Sequence, residues 1–336
     1  MSFHYLCQHM STKVSLQQIQ APIDREMKDF ETFFAKSLKT DHGLLDKISH
    51  YIIKRKGKQL RPMLVFLSAR LFGEPKEKTF IAAALIELLH TATLVHDDVV
   101  DEAMTRRGFF SINALWKNKI AVLFGDYLLS RGLLLSINNE AFDLLKIVAT
   151  AVKEMSEGEL LQQEKSRRMK VNEEVYYQII QQKTASLIAA CCEMGAAASN
   201  TSSADQQRMH EVGMNIGIAF QIKDDLLDLG FGGDIGKPLG ADIQENKVTL
   251  PIIFALNQGN EEQRKKIKSL LRKKSISSAD LAGLQKILMD TKAVEYAQQS
   301  MNNYAEKAKT ILRSFAASPV NEAFQQLVDF TIQRNK

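Results

Sequence analysis

The chain has 336 residues, 45% hydrophobic and 25% charged, the composition of a globular protein with a sizeable core. Its 44 basic against 39 acidic residues leave a net charge of +5, too mild to argue for nucleic acid as a partner. The three cysteines, Cys7, Cys191 and Cys192, form no disulfide framework and suit a reducing cytosol, so a cytoplasmic location is expected.

Residues 1–20 carry no clear pattern and are expected to be disordered; Met10 is as good a start as Met1. A basic region followed by a long apolar stretch is missing there, so no secretory signal is read. From residue 21 to 336 a single all-α domain is expected. No proline lies between Pro75 and Pro238, that interval is rich in good helix formers, and strand-like alternation is almost absent. The pattern predicts helices over 22–38, 43–55, 61–72, 77–101, 111–137, 140–164, 172–198, 203–229, 249–257, 260–273, 278–289, 291–316 and 320–334. Glycines and Pro238 make 230–248 the longest loop. No run reaches eighteen uninterrupted apolar residues, so a membrane span is not expected.

The chemistry-bearing residues gather at helix ends. Lys58 and Arg61 lie in a loop just before Pro62 opens a helix, an arrangement suited to phosphate. The 77–101 helix is apolar nearly all round, which predicts burial at the centre of a bundle, yet it ends in His90, His96, Asp97, Asp98 and Asp101. Arg106 and Arg107 follow. The 203–229 helix repeats the plan, running through Ile216, Phe220 and Gln221 into Asp224, Asp225 and Asp228. Lys237 and Lys247 follow that one.

Asp97-Asp98-x-x-Asp101 and Asp224-Asp225-x-x-Asp228 are two copies of one pattern. With 18 Asp in the chain, three fixed positions match by chance only about 0.05 times. Positions three and four apart share a helix face, so each triplet is expected to project its carboxylates to one side. Three like charges on one turn repel unless a cation sits among them. Carboxylate oxygens without a Cys/His cluster select Mg²⁺, which keeps waters and bridges to substrate phosphate. Two such helices facing each other would ring the mouth of an apolar cavity with carboxylates, and the flanking cations would complete an anion site.

On these residues, together with Gly57, Gly108, Gly125-Asp126, Lys183-Thr184 and Gly236, the chain resembles the trans-isoprenyl diphosphate synthases, the polyprenyl synthetase family, from about 57 to 251. It departs at Lys56 and Gln59, where the family usually has a glycine and a basic residue. The resemblance implies an all-α bundle around a deep central cavity, usually a homodimer. It implies that both aspartate triplets hold several Mg²⁺ ions against the allylic diphosphate. Arg106, Lys183, Lys237 and Lys247 would contact that diphosphate, and Lys58, Arg61, His90 and Arg107 would bind isopentenyl diphosphate. Thr184 and Gln221 would line the reacting centre. One turn before Asp97, Ala92 and Thr93 are small where short-chain relatives carry an aromatic. Leu89 lies deeper, and Phe124 and Leu128 are candidate floor residues. A medium-to-long-chain product is therefore expected.

Other readings remain. A short-chain (farnesyl or geranylgeranyl) synthase shares every motif, and a class I terpene cyclase shares the first triplet but needs no Lys58/Arg61 loop. Glu87-x-x-His90 fits a di-iron bundle, but that class needs two such pairs and only this one occurs. Cys191-Cys192 and Trp116 read as packing. The run from Arg264 to Lys268 with Arg272 to Lys274 reads as a solvated face, or as a peripheral contact with an anionic membrane that would suit release of a lipid product.

Overall fold

The structure is a computed structural model and describes residues 15–55, 57–106, 108–167, 171–232, 239–245, 247–273 and 275–334. Of the expected site residues, Arg107 and Lys237 lie outside this set. The helices are α1 (Leu16–Gln20), α2 (Asp24–Leu38), α3 (Gly43–Ile53), α4 (Leu60–Arg70), α5 (Glu77–Val100), α6 (Ile112–Asn138), α7 (Phe142–Arg167), α8 (Glu173–Ile180), α9 (Ser186–Ala198), α10 (Ser203–Asp228), α11 (Ala241–Gln244), α12 (Leu250–Gln258), α13 (Glu261–Leu270), α14 (Ser278–Asp290), α15 (Ala293–Arg313) and α16 (Pro319–Gln333). One short antiparallel hairpin, β1 (Thr105–Arg106) and β2 (Phe109–Phe110), follows α5.

α5 packs on α2, α4, α6, α7 and α9, while α10 packs on α9, α15 and α16. From Ala82 to Ile86 the α5 side chains are fully buried, as an all-round apolar helix requires. By length and composition α5 and α6 could each cross a bilayer. Burial accounts for α5. α6 instead leaves Leu115, Val122, Leu123, Leu133, Leu134 and Ile137 exposed.

Four sequence expectations change. The last part of 1–20 is ordered: Ser15 and Gln18 form a capping box and Ile19 is fully buried, so burial plus capping stabilises a five-residue helix. The expected helix 172–198 is interrupted by a π-helical turn, Gln181–Ala185, between α8 and α9. α6 is kinked at Lys117, whose φ of 70° and ψ of 159° are not helical. The segment 230–248 contains α11.

The π turn is held by close backbone approach. A Cβ on Gly158 of α7 would lie 2.8 Å from Lys183 N, and one on Gly217 of α10 would lie 2.4 Å from Ala185 Cα. Only glycine lets both helices reach the turn. Such turns recur at functional sites, and this one carries Lys183 and Thr184.

Candidate active site

At the end of α5, Asp97 and Asp101 are exposed, whereas Asp98 turns inward and is 3% exposed. The projection of three carboxylates to one side therefore holds for two. Arg106 Nε donates to Asp98 Oδ1 at 2.6 Å. Asn113 Nδ2 donates to the carbonyls of Asp98 and Ala103 at 3.2 and 3.1 Å, fixing the reversal from α5 into the hairpin. Partial desolvation, with the Asp101 and Glu159 carboxylates close by, raises the Asp97 pKa against the opposing pull of Arg106 and Lys183. Lys183, in the π turn, is ion-paired to Glu159 of α7 and lies 3.4 Å from Gln162 Oε1.

The second triplet repeats the inward turn. Asp225 is 2% exposed; it accepts from Tyr176 Oη at 2.6 Å on Oδ2 and from Gln221 Nε2 at 2.9 Å on Oδ1. Gln221 Oε1 in turn accepts from Thr184 Oγ1 at 2.8 Å. Burial first, then the Asp242 carboxylate, pushes Asp225 up to about 8. The same two causes raise Asp228 to about 6, although it accepts from the amides of Ala241 and Asp242 at 3.2 Å each. Burial pulls Lys247 down, but Asp242 at 3.3 Å and Glu245 at 2.5 Å outweigh it and its pKa rises. Asp224 is paired with Arg334, whose guanidinium also stacks 3.8 Å over the Phe220 ring. A cavity of about 210 Å³ opens among Lys183, Thr184, Gln221, Asp225, Lys247 and the apolar Ile179 and Ile180.

The two triplets are thus linked through the π turn. Lys183 acts electrostatically on Asp97, and its neighbour Thr184 is hydrogen-bonded through Gln221 to Asp225. Among the described residues no three His, Cys, Asp or Glu side chains form a group that could hold a metal ion by themselves; Asp98, Asp224, Asp225 and Asp228 each meet protein donors. Such a donor set suits a hard cation that keeps waters and completes its shell with substrate phosphate, not an all-protein cage.

The basic loop reaches the same region. Arg61 Nε is 2.9 Å from Glu87 Oε1 on α5, three residues before His90. Burial and the nearby Arg334 lower the Lys58 pKa, and Lys58 Nζ lies 5.6 Å from the Phe330 ring centroid. Of the wall residues, Ala92 is fully buried with Phe124, Leu128, Leu88 and Val95 in a cluster between α5 and α6. Thr93 donates to the His90 carbonyl at 2.8 Å. Leu89 belongs to the main core, where a Cβ on Gly132 would lie 3.5 Å from its Cδ2.

Four site residues escaped the sequence reading: Glu159, Tyr176, Asp242 and Arg334. Tyr176 stands seven residues before Lys183, two helical turns along one face, so a signal existed. Asp242 lies in the 230–248 segment, which reads as loop. Nothing in the sequence singles out Glu159 or Arg334.

The polyprenyl synthetase family model matches residues 42–288. The chain is 31% identical to the octaprenyl diphosphate synthase of Escherichia coli strain K12, across 96% of this chain and 100% of that protein. A decaprenyl diphosphate synthase structure from Rhodobacter capsulatus superposes with a TM-score of 0.89 at 31% identity, covering 96% of this chain and all of that one. A polyprenyl synthase from Caulobacter crescentus CB15, complexed with calcium and isoprenyl diphosphate, gives 0.87 at 31% identity over 96% and 99%. Motifs, helical architecture and full-length similarity agree, and the chain belongs to the polyprenyl synthetase family.

Proposed function

We propose that the protein condenses isopentenyl diphosphate with an allylic diphosphate, releasing pyrophosphate and making an all-trans polyprenyl diphosphate of medium-to-long chain. The observation that carries this reading is the link of both aspartate triplets to Lys183-Thr184, beside a cavity whose walls turn apolar at Ile179 and Ile180. An ionising allylic C–O bond needs cations where pyrophosphate oxygens gather negative charge. Lys183 and Lys247 line the cavity, and Arg106 pairs with Asp98 of the first triplet. The carbocation left behind needs an apolar wall with only oriented dipoles, which Thr184 and Gln221 supply. Lys58, Arg61 and His90 would bind the second diphosphate without metal. The proton lost at the end passes to the departing pyrophosphate.

Asp97 and Asp101 with Asp224 and Asp228 would hold Mg²⁺. Bound there, it supplies Lewis-acid neutralisation of the leaving group. The calcium and isoprenyl diphosphate in the Caulobacter structure support a divalent cation at this kind of site. The long product is supported by the absence of a bulky side chain at Ala92 and Thr93, and by the octaprenyl and decaprenyl relatives. The exposed apolar side chains of α6 and Phe142 suit a homodimer. Cys191 and Cys192 are free and buried, in keeping with a reducing cytoplasm.

Purified protein, given isopentenyl diphosphate, each allylic primer in turn and Mg²⁺, should yield products longer than C20 by chromatography. EDTA in excess should abolish turnover. A product no longer than C20 would favour the short-chain reading, and full activity in EDTA would remove the metal assignment.

A further inference from the structure

The three aspartates of the second triplet are not held alike. Asp224 meets a guanidinium and Asp228 meets two backbone amides beside α11, both half-buried. Asp225 is buried, and each of its oxygens is taken by a side-chain donor, Tyr176 Oη on Oδ2 and Gln221 Nε2 on Oδ1. Burial, with a side-chain donor on each oxygen, makes Asp225 the least reachable of the three for a cation. It does have a polarity to transmit.

A primary amide has one donor end and one acceptor end. Asp225 Oδ1 faces the amide of Gln221, so the Nε2 end must point at it and the Oε1 end must point away. Oε1 lies 2.8 Å from Thr184 Oγ1 and can only accept, so the Thr184 hydroxyl spends its single proton there. Its lone pairs are left for the cavity that Thr184, Gln221 and Tyr176 all line. Tyr176 holds this order: its hydroxyl donates to Oδ2 and keeps the carboxylate turned with Oδ1 toward Gln221.

We propose that Tyr176 and Asp225 are positioning residues: through Gln221 they set the direction of a four-member hydrogen-bond chain that turns the Thr184 oxygen lone pairs toward the allylic carbon. This inference rests on the proposed function, and it removes Asp225 from the metal-holding set that the sequence suggested. A negative dipole end fixed beside a developing positive charge stabilises the transition state and needs no reorganisation.

Asp225→Asn is isosteric; with its oxygen kept on the Tyr176 hydroxyl it offers Nδ2 to Gln221, which flips the amide and leaves Thr184 as acceptor with its proton toward the cavity. Steady-state kinetics should show kcat reduced by about 10²-fold and both KM values within about threefold. Calorimetry with Mg²⁺ and pyrophosphate, no turnover involved, should give affinity within about threefold of the unaltered protein, while Asp224→Asn weakens it more than about tenfold. Asp225→Asn combined with Thr184→Val should be no slower than the slower single variant. Tyr176→Phe, which keeps the ring packed 5.4 Å from Tyr177, should lower kcat by about tenfold with the same unchanged binding.

Loss of Mg²⁺–pyrophosphate binding in Asp225→Asn equal to that in Asp224→Asn, a kcat change under about twofold, or multiplying effects in the double variant would each overturn the inference. If the unaltered protein neither turns over nor binds Mg²⁺–pyrophosphate, the proposed function fails, and the inference with it.

Discussion

At the scale of single residues the site is governed by which carboxylates face inward. In both triplets the middle aspartate, Asp98 or Asp225, is buried. Asp225, pushed up to about 8 by burial and Asp242, binds its proton more tightly folded than unfolded. With divalent cations chelated, the stability this contributes is complete below about pH 4 and is lost as pH rises towards about 8. Thermal unfolding in EDTA should therefore show a falling Tm across that window, and Asp225→Asn should flatten it; parallel curves would refute the assignment. Ala92, packed against Phe124 and Leu128, is the proposed wall below the first triplet. Ala92→Phe should shorten the main product by at least one isoprene unit; an unchanged product spectrum would sink this account of the wall.

At the scale of elements, local rules explain where helices start and tertiary contacts explain where they break. Ser111, Asn172, Ser202, Asn260, Ser277 and Ser318 each cap a helix with a side-chain oxygen, and these boundaries were readable within a few residues. The π turn at 181–185 was not. Its residues are ordinary helix formers, and the extra residue per turn follows from Gly158 and Gly217 letting α7 and α10 press on it. Nor was the break at Lys117, whose backbone occupies a region suited almost only to glycine and costs about 1–3 kcal/mol. Lys117→Gly should raise stability by about 1 kcal/mol, or roughly 1–3 °C in Tm, without changing kcat. A lowered Tm would mean the bend is held by Lys117 itself.

At the scale of the whole molecule, α5 and α10 are brought together through α9 and the π turn, so two distant motifs become one site. α6 completes the bundle on one side only. Its outward Leu123, Leu133 and Ile137 are each about half exposed, an apolar face suited to a second copy of the chain. Leu133→Glu with Leu123→Glu should convert a dimer to a monomer in light scattering at micromolar concentration; a monomeric unaltered protein would remove the homodimer. By itself the sequence determined the helical class, both aspartate triplets and the basic loop, because helix propensity, apolar periodicity and charge spacing act over one or two turns. Only the tertiary structure decided which aspartates turn inward, that Tyr176 and Arg334 meet them, and that Lys183 and Thr184 sit in a widened turn. Those facts depend on which helix presses on which, and packing between residues far apart in the chain leaves no local pattern to read.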